Sequence, residues 1–379
     1  MFDGIEVDVL SLGDADCVVV TKWFDKGPLR ILIDGGCGKD AGVILDFLRQ
    51  MGYSYFWAIL CTHLHNDHAS GLIKLVRSSA IAFSNGWMHD ITKHVSADTL
   101  RRASAADDGV RQVVETTKEL AAAFASRNVT PLEPFTGMTI SAIAWMTVLG
   151  PSWALYKEKI AEFAKVDAPA PFRVIARPTA PSPLWNAIAL HLGGNATPTP
   201  LSSLSGIPAP GSNSLASLLA PGPLVGALSE SSVKKKPKTQ PYNNTSVILG
   251  VDLNGLKFLF PADAGSEALA HVPAEWNHLA YMGVPHHASD GNLSQKDIER
   301  FCPQIAAISA KGDSSHPSRA VVSGLVKVGT KVASTHKSGN LWFWSGSVPA
   351  RTGYGPIEWL QGTGKPEPID WMTVMENMK

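Results

Sequence analysis

Four side chains that can bind a metal ion fall within six residues, in the run Thr62-His63-Leu64-His65-Asn66-Asp67-His68. In an extended segment alternate side chains share a face, so His63 and His65 can converge on one ion. Where the chain then turns into a helix, Asp67 and His68 are directed at a neighbouring position. Imidazole nitrogen with carboxylate oxygen suits zinc, and also manganese or iron. We therefore interpret the run as a metal site rather than as surface histidines before a helix.

The hydrophobic patterns predict a mixed α/β chain. Strands are predicted at residues 5–11, 15–21, 30–34, 56–61, 138–149, 246–253, 256–261, 279–284, 304–310, 331–335 and 341–344. Helices are predicted at residues 41–51, 69–76, 96–126, 152–165, 294–301 and 319–328. The metal-ligand run lies where a strand hands over to a helix, at the edge of a sheet. Active sites of α/β proteins commonly occupy such places.

The charge balance limits the classes of function that are open to this chain. Lys plus Arg and Asp plus Glu both number 33 among 379 residues, so the formal net charge is zero. This balance argues against a protein that holds nucleic acid mainly by bulk electrostatics, although a local basic groove remains compatible with it.

The chain shows no sign of export or of membrane insertion. Its first residues lack the basic region and the long apolar stretch of a secretory signal. No stretch approaches the ~20 apolar residues that are needed to span a bilayer. The four cysteines are scattered without a Cys-x-x-Cys pair, which is typical of reduced core residues. We expect a cytoplasmic protein without membrane association.

Residues 193–241 differ in composition from the rest of the chain. Pro, Ser, Gly and Ala dominate, and the basic run Lys234-Lys235-Lys236-Pro237-Lys238 lies near the end. Such a composition buries too little apolar surface to offset the entropy of ordering. Strand patterns and candidate ligands resume after it, so we predict a flexible insertion in a single domain that covers residues 1–379. The basic run is typical of a solvated loop, which could also help to recruit a polyanion.

The His-x-His-x-Asp-His pattern at 63–68 resembles the metallo-β-lactamase superfamily and is highly specific for it. Further stretches resemble, with moderate specificity, the branch related to the DNA-uptake protein ComEC (Rec2). They are VDVLSLGDA at 7–15 followed by LIDGG at 32–36, NNTSVIL at 243–249, FPADA at 260–264, VPHHAS at 284–289 and SHP at 315–317. Together they bracket nearly the whole chain, apart from its helical middle and the insertion.

The resemblance implies an α/β (α+β) fold, a four-layer αββα sandwich with metals at one edge. It also implies two sites. His63 and His65 would hold the first metal. Asp67, His68 and His287 would hold the second, and Asp263 would bridge the two. The resemblance thus implies one or two ions of Zn²⁺, with Mn²⁺ or Fe as alternatives.

One position departs from the family pattern. Typical members supply a third histidine to the first metal from a strand before the bridging aspartate, whereas this sequence offers Asn244 or Ser246 at about that place. His89, His94 and His191 are possible substitutes, but each is more typical of a structural or surface histidine. The first site is therefore expected to be the weaker one, in a one-metal enzyme or one with a loosely held second ion.

These residues predict a metal-dependent hydrolase that uses a metal-activated water. Asp67 would bind or orient the nucleophile, and His286 would be an outer-shell or substrate group. His316, with Lys311, would bind an anionic substrate oxygen or protonate the leaving group, unless His316 is only a turn residue before Pro317.

Three classes of function remain open. The branch's link to DNA processing favours a phosphodiesterase or nuclease that acts on nucleic acid or nucleotides. The alternatives are hydrolysis of a carbonyl ester, thioester or lactam, and a catalytically silent scaffold or binding module of the same fold. Because one fold hosts many chemistries, the choice among these functions rests on analogy.

Overall fold

The computed structural model describes residues 2–138, 145–164, 227–228, 238–313, 315–362 and 364–365. Within these ranges the strands form two large sheets. The first sheet contains β1 (Asp3–Val9), β2 (Val18–Phe24), β3 (Gly27–Ile33), β4 (Tyr55–Leu60), β5 (Ala82–Trp87) and β13 (Leu341–Ser347). Their spatial order is β13-β1-β2-β3-β4-β5, and β3, β4 and β5 run parallel to one another.

The second sheet is built from the later part of the chain. It contains β6 (Met146–Gly150), β8 (Ile248–Leu253), β9 (Leu256–Phe260), β10 (Tyr281–Gly283), β11 (Ile305–Ile308), β12 (Lys331–Ser334) and β14 (Trp359–Leu360). Strands β9 to β12 are parallel neighbours, whereas β6, β8 and β14 are antiparallel to their partners. A separate two-residue pair joins β7 (Ala227–Leu228) to β15 (Gly364–Lys365).

Helices lie between the strands along the chain. They are α1 (Ala41–Gln50), α2 (Asn66–Arg77), α3 (Ala97–Ala106), α4 (Asp108–Ser126), α5 (Trp153–Phe163), α6 (Ser266–Leu269), α7 (Gln295–Phe301), α8 (Arg319–Lys327) and α9 (Thr335–Ser338). Short 3₁₀ turns occur at Ile91–Lys93, Asn243–Thr245, Ala274–Trp276 and Pro285–Ala288. No helix in the described part of the chain is long and apolar enough to cross a membrane.

The helices and strands form four layers, two sheets between two layers of helices, and an apolar core lies between each pair of adjacent layers. The central core lies between the sheets and joins residues such as Val7 and Ile31 to Phe258 and Tyr281. A second core packs helices α1 to α4 against the outer face of the first sheet. A third packs α6, α7 and α8 against the outer face of the second sheet. The molecule is thus a four-layer αββα sandwich, and the predicted fold class is confirmed.

Several predicted elements differ in extent from the observed ones. The single helix predicted at 96–126 is two helices, because Asp107 lies in an extended conformation between them and its side chain accepts hydrogen bonds from the backbone N–H groups of Gly109 and Val110. Strand β5 was not predicted, because its sequence, AFSNGW, lacks a clear apolar alternation.

Part of the sequence prediction falls on residues that the structure does not describe. These are residues 139–144 of the predicted strand at 138–149, His191, and all of the predicted insertion at 193–241 except residues 227–228 and 238–241. Strands β6 and β8, which flank that stretch in the sequence, are antiparallel neighbours in the second sheet. The single domain with an insertion stays a prediction.

Helix α2, which carries part of the metal-ligand run, is docked on the end of β3 through backbone contacts. The N–H group of Gly35 donates to the carbonyl of His68 at 2.8 Å, and that of Gly71 donates to the carbonyl of Gly36 at 2.9 Å. A Cβ atom at Gly71 would collide with the carbonyl oxygen of Gly35. Glycine at 71 therefore permits the close approach that sets the position of His68.

Exchanging each of two helical glycines for alanine tests this docking. Gly71→Ala should lower the free energy of unfolding by about 2–3 kcal/mol, since the helix must move away from the loop at Gly35. Gly42→Ala in α1 is the matched control, because a Cβ atom there meets no atom within 4 Å. It should raise stability by about 0.5–1 kcal/mol. Urea denaturation of both variants measures the difference, and equal midpoints would contradict the tight docking of α2.

Candidate metal centre

The predicted ligands converge at the carboxyl ends of neighbouring strands. His63 and His65 lie in the connection from β4 to α2, whose first turn carries Asp67 and His68. Asp263 follows β9 and His287 follows β10 in the other sheet. Because the two sheets pack face to face, these segments from distant parts of the chain meet at one edge of the sandwich.

The first group of ligands consists of His63, His65 and Asp263, with one ligand atom of each within 4.8 Å of the others. Nε2 of His63 lies 3.1 Å from Nδ1 of His65 and 3.5 Å from Oδ2 of Asp263. This arrangement brings two imidazole nitrogens and one carboxylate oxygen to a common point.

The second group contains His68, Asp263 and His287, together with Asp16. Nε2 of His68 lies 3.3 Å from Oδ1 of Asp263 and 3.6 Å from Oδ2 of Asp67. Nε2 of His287 lies 3.4 Å from that same oxygen of Asp67. The two oxygens of Asp263 therefore face different groups, as a bridging carboxylate requires.

Outer contacts orient the histidines of the second group. Nδ1 of His68 donates to Oδ2 of Asp34 at 2.8 Å, and Nδ1 of His287 donates to the carbonyl of Ser309 at 2.9 Å. Asp34 is held in turn by the backbone N–H and the hydroxyl of Thr62, at 2.8 and 2.6 Å. Each ring thus presents Nε2 to the site, which is the tautomer that a metal ligand needs.

The histidines of the two groups differ in their electrostatic surroundings. Burial and the neighbouring His68 lower the pKa of His63, and burial also lowers the pKa of His65, so both rings are neutral. Burial alone would lower the pKa of His68, but Asp263, Asp67 and Asp34 raise it well above its ordinary value. The second group therefore has an excess of carboxylates, which favours a cation.

Two acidic residues near the site were not predicted to belong to it. Asp16 lies 4.0 Å from Nδ1 of His68 and 3.9 Å from Nδ1 of His287. Asp16 lies in the loop before β2, since this strand begins at Val18 and not at residue 15 as predicted. The sequence signal that was available for Asp16 is a charged residue within an otherwise apolar run. For Asp34, the signal was its place after a buried strand and before two glycines.

Two buried polar atoms test whether these residues fit a metal ion. Nε2 of His68 and Oδ1 of Asp263 are both inaccessible to solvent and lie 3.3 Å apart, but neither makes a well-formed hydrogen bond within the described ranges. Buried polar atoms are normally paired, since leaving one unpaired costs about 1–3 kcal/mol. A divalent cation between the two would satisfy both, so the residues fit the metal that the resemblance implies.

The residues predicted to contact the substrate, Lys311 and His316, lie in the loop after β11, and we call this loop together with Asp14 the rim of the site. The ring of His316 lies 5.7 Å from that of His287 and 5.8 Å from that of His286, and its Nδ1 lies 3.5 Å from Oδ2 of Asp14. The backbone N–H of Lys311 donates to the other oxygen of Asp14 at 2.8 Å. The Lys311 side chain is exposed and pairs with Asp313. The structure thus brings His316, but not the Lys311 ammonium, next to the ligand groups.

The suggested substitutes for a third histidine are engaged elsewhere. Asn244 accepts from the N–H of Gly265 at 3.0 Å and donates to Glu267. His89 contacts the carbonyl of Pro134 at 2.8 Å, and His94 contacts Glu133 at 2.6 Å. Neither histidine belongs to a ligand group among the described residues.

Asn243 is the neighbour that does reach the first group. Its Nδ2 donates to Oδ2 of Asp263 at 3.4 Å. Ser246, the other residue considered from the sequence, is fully buried, and its hydroxyl makes no hydrogen bond within the described part of the chain.

No protein-family model and no curated protein matches the chain. Among solved structures, one from Thermotoga maritima, provisionally described as a metallo-β-lactamase, is similar at 17% identity with a TM-score of 0.26. The match covers 38% of this chain and 65% of that one, less than two thirds of its length. A likeness of this size is too low to support a statement about function.

The fold and the ligand groups agree with what the sequence resemblance implies. The structure shows an αββα sandwich with two His/Asp groups at one sheet edge, and these groups are compatible with a bound metal ion.

Replacing Asp34 by Asn tests the role of the outer contacts. The change keeps the size and tolerates the positive φ of 59° at this position, but it removes the charge that orients His68. Metal affinity should fall about 10- to 100-fold, as measured by equilibrium dialysis. Asp46→Asn is the control, since Asp46 is exposed and pairs with Arg49 within α1. Unchanged affinity in Asp34→Asn would show that the contact does not support the site.

Proposed function

We propose that this protein is a metal-dependent hydrolase that acts on phosphodiester bonds with a metal-activated water. The observation that carries the proposal is the sharing of Asp263, whose two carboxylate oxygens face two separate sets of histidines. Sites with two adjacent metal ions are typical of enzymes that cleave phosphate esters.

Under this proposal, His63 and His65 hold one ion, Asp67, His68 and His287 hold the other, and Asp263 bridges them. The ions are Zn²⁺, with Mn²⁺ or Fe as alternatives. When bound, such ions supply a nucleophile at neutral pH and stabilise negative charge on the attacked group. Asp67, which lies between His68 and His287, would orient the nucleophile.

The rim supports an anionic substrate. The carboxylate of Asp14 lies 3.5 Å from Nδ1 of His316, and under this proposal Nε2 on the other side of the ring faces the substrate. Only a ring with a proton on Nε2 can donate to a phosphate oxygen, so His316 and His286 would do so in the doubly protonated form, from which His316 could also protonate a leaving group. The Lys311 ammonium pairs with Asp313 instead, so the proposal gives Lys311 no direct contact with the substrate. Resemblance of several motifs to the ComEC-related branch further favours a nucleic acid or a nucleotide as the substrate.

The Asp263→Asn variant tests the shared carboxylate. It keeps the size of the side chain but removes the charge between the two groups, so phosphodiester cleavage should fall by orders of magnitude. The metal-free variant should also melt at a lower temperature, because His68 and His63 lose the buried charge that faces them, so turnover is compared at a temperature at which both proteins are folded. The assay is turnover of bis(p-nitrophenyl) phosphate, DNA and RNA with Zn²⁺ and with Mn²⁺. Full activity of the variant on any substrate of the wild type would exclude a mechanism that depends on two metals.

The His316→Ala variant tests the substrate rim. Metal content should stay normal while turnover drops, because His316 would serve the substrate rather than the metal. His271→Ala is the control, since His271 is an exposed histidine after α6, and it should match the wild type. Loss of metal from His316→Ala would instead place His316 among the ligands. A wild type inert on every phosphodiester but active on an ester, thioester or lactam would replace the proposed substrate, and inertness on all of them would favour a scaffold.

A further inference from the structure

The two ligand groups are unequal in charge. The second group has the carboxylates of Asp16, Asp67 and Asp263 close to its two histidines. The first group has two histidines and only the shared carboxylate of Asp263. With three protein donors, one of them shared with the second group, the first group leaves at least one position of a tetrahedral zinc site open to water, substrate or a further protein donor.

Asn243 lies at the open side of the first group. It is 1% exposed and begins the 3₁₀ turn Asn243–Thr245. Its Nδ2 lies 3.4 Å from Oδ2 of Asp263, the same oxygen that lies 3.5 Å from Nε2 of His63. The amide is therefore next to both the carboxylate and one histidine of the group.

The amide oxygen of Asn243 lacks a hydrogen-bond partner among the described residues. This oxygen, Oδ1, is buried. The oxygen and nitrogen of an Asn side chain exchange places when the amide turns over. Here that rotation would break only the long 3.4 Å contact with Asp263. It would bring a carbonyl oxygen to the position beside Asp263 and His63.

The backbone around Asn243 keeps the side chain in place. Its N–H donates to the carbonyl of Gln240, and its own carbonyl accepts from the N–H of Ser246, both at 3.1 Å. The preceding residue, Tyr242, is fully buried with its ring 5.2 Å from that of His65 and 6.1 Å from that of His63. The turn is thus packed directly against the first group.

We infer that Asn243 ligates the ion of the first group through its amide oxygen, in the place where a third histidine is absent. This inference rests on the proposed metal-dependent function. A neutral oxygen donor adds no charge, so the first site binds its ion more weakly than the second. Carbonyl oxygen suits Mn²⁺ better than imidazole does, so Asn243 also shifts the preference of the first site away from Zn²⁺.

Metal binding by the full chain tests the inference without an activity assay. Metal-free protein is dialysed against graded Zn²⁺ or Mn²⁺, and the bound metal is counted. The wild type should bind two ions in two resolved steps. Asn243→Ala should leave the tight step unchanged and weaken the second step at least tenfold. Ser246→Ala is the matched control three residues away, since it also removes a buried polar group, and both steps should stay within twofold.

Asn243→His supplies a second measurement. It restores the imidazole donor and should raise the ratio of Zn²⁺ to Mn²⁺ affinity at the weak step by tenfold or more over the wild type. Melting temperatures of the metal-free variants check that each one folds. If Asn243→Ala does not fold, the ratio in Asn243→His decides alone, and an unchanged ratio overturns the inference.

The measurements distinguish a failure of the Asn243 inference from a failure of the proposed function. Two bound ions with steps that no Asn243 variant alters would overturn the role of Asn243 and leave the hydrolase proposal standing. A weak step that is lost in Ser246→Ala would assign the ligand to Ser246 instead. Absence of bound metal in the wild type would overturn the proposed function together with this inference.

Discussion

The rest of the site depends on one buried carboxylate, that of Asp263. It is almost fully excluded from water, and burial would raise its pKa, yet His68, His286 and His63 hold that pKa well below the ordinary value. A buried charge is tolerated only where partners compensate for its desolvation. Because those partners come from both sheets, the sandwich must close before the carboxylate is stabilised, and the site forms together with the fold.

Backbone strain is concentrated at the same edge. Asp34, Ala262, His286 and His287 all have positive φ, between 48° and 59°, although none is glycine. Such conformations cost free energy and persist only where the surroundings determine them. Each of these residues is a ligand, an outer contact or a neighbour of Asp263. The strained turns at the ends of β3, β9 and β10 thus aim side chains inward that a relaxed chain would direct elsewhere.

Local sequence patterns predicted the mixed α/β character of the chain and the metal cluster, whereas the four layers were implied by the resemblance to a known superfamily. Apolar alternation marks strands such as β1, and the ligands at 63–68 are neighbours in the chain. Asp16 and Asn243 could not be assigned in this way, because their roles depend on contacts between the sheets. Asp67 and His287 are 220 residues apart in the chain yet only 3.4 Å apart in space. For the first site, the sequence indicated Asn244 or Ser246. The conformation of the turn instead brings the side chain of Asn243 next to Asp263.

The residues that would recognise the substrate also depend on contacts between the two sheets. Asp14 lies in the loop between β1 and β2 of the first sheet, whereas Lys311 and His316 follow β11 of the second. Its carboxylate accepts from the Lys311 backbone and lies beside the His316 ring, so a single side chain ties the two sheets together beside the ligand groups. A shift of one sheet against the other would move His316 relative to Asp263. The packing of the central core therefore sets the distance between the residues that would hold the metals and the residue that would meet the substrate.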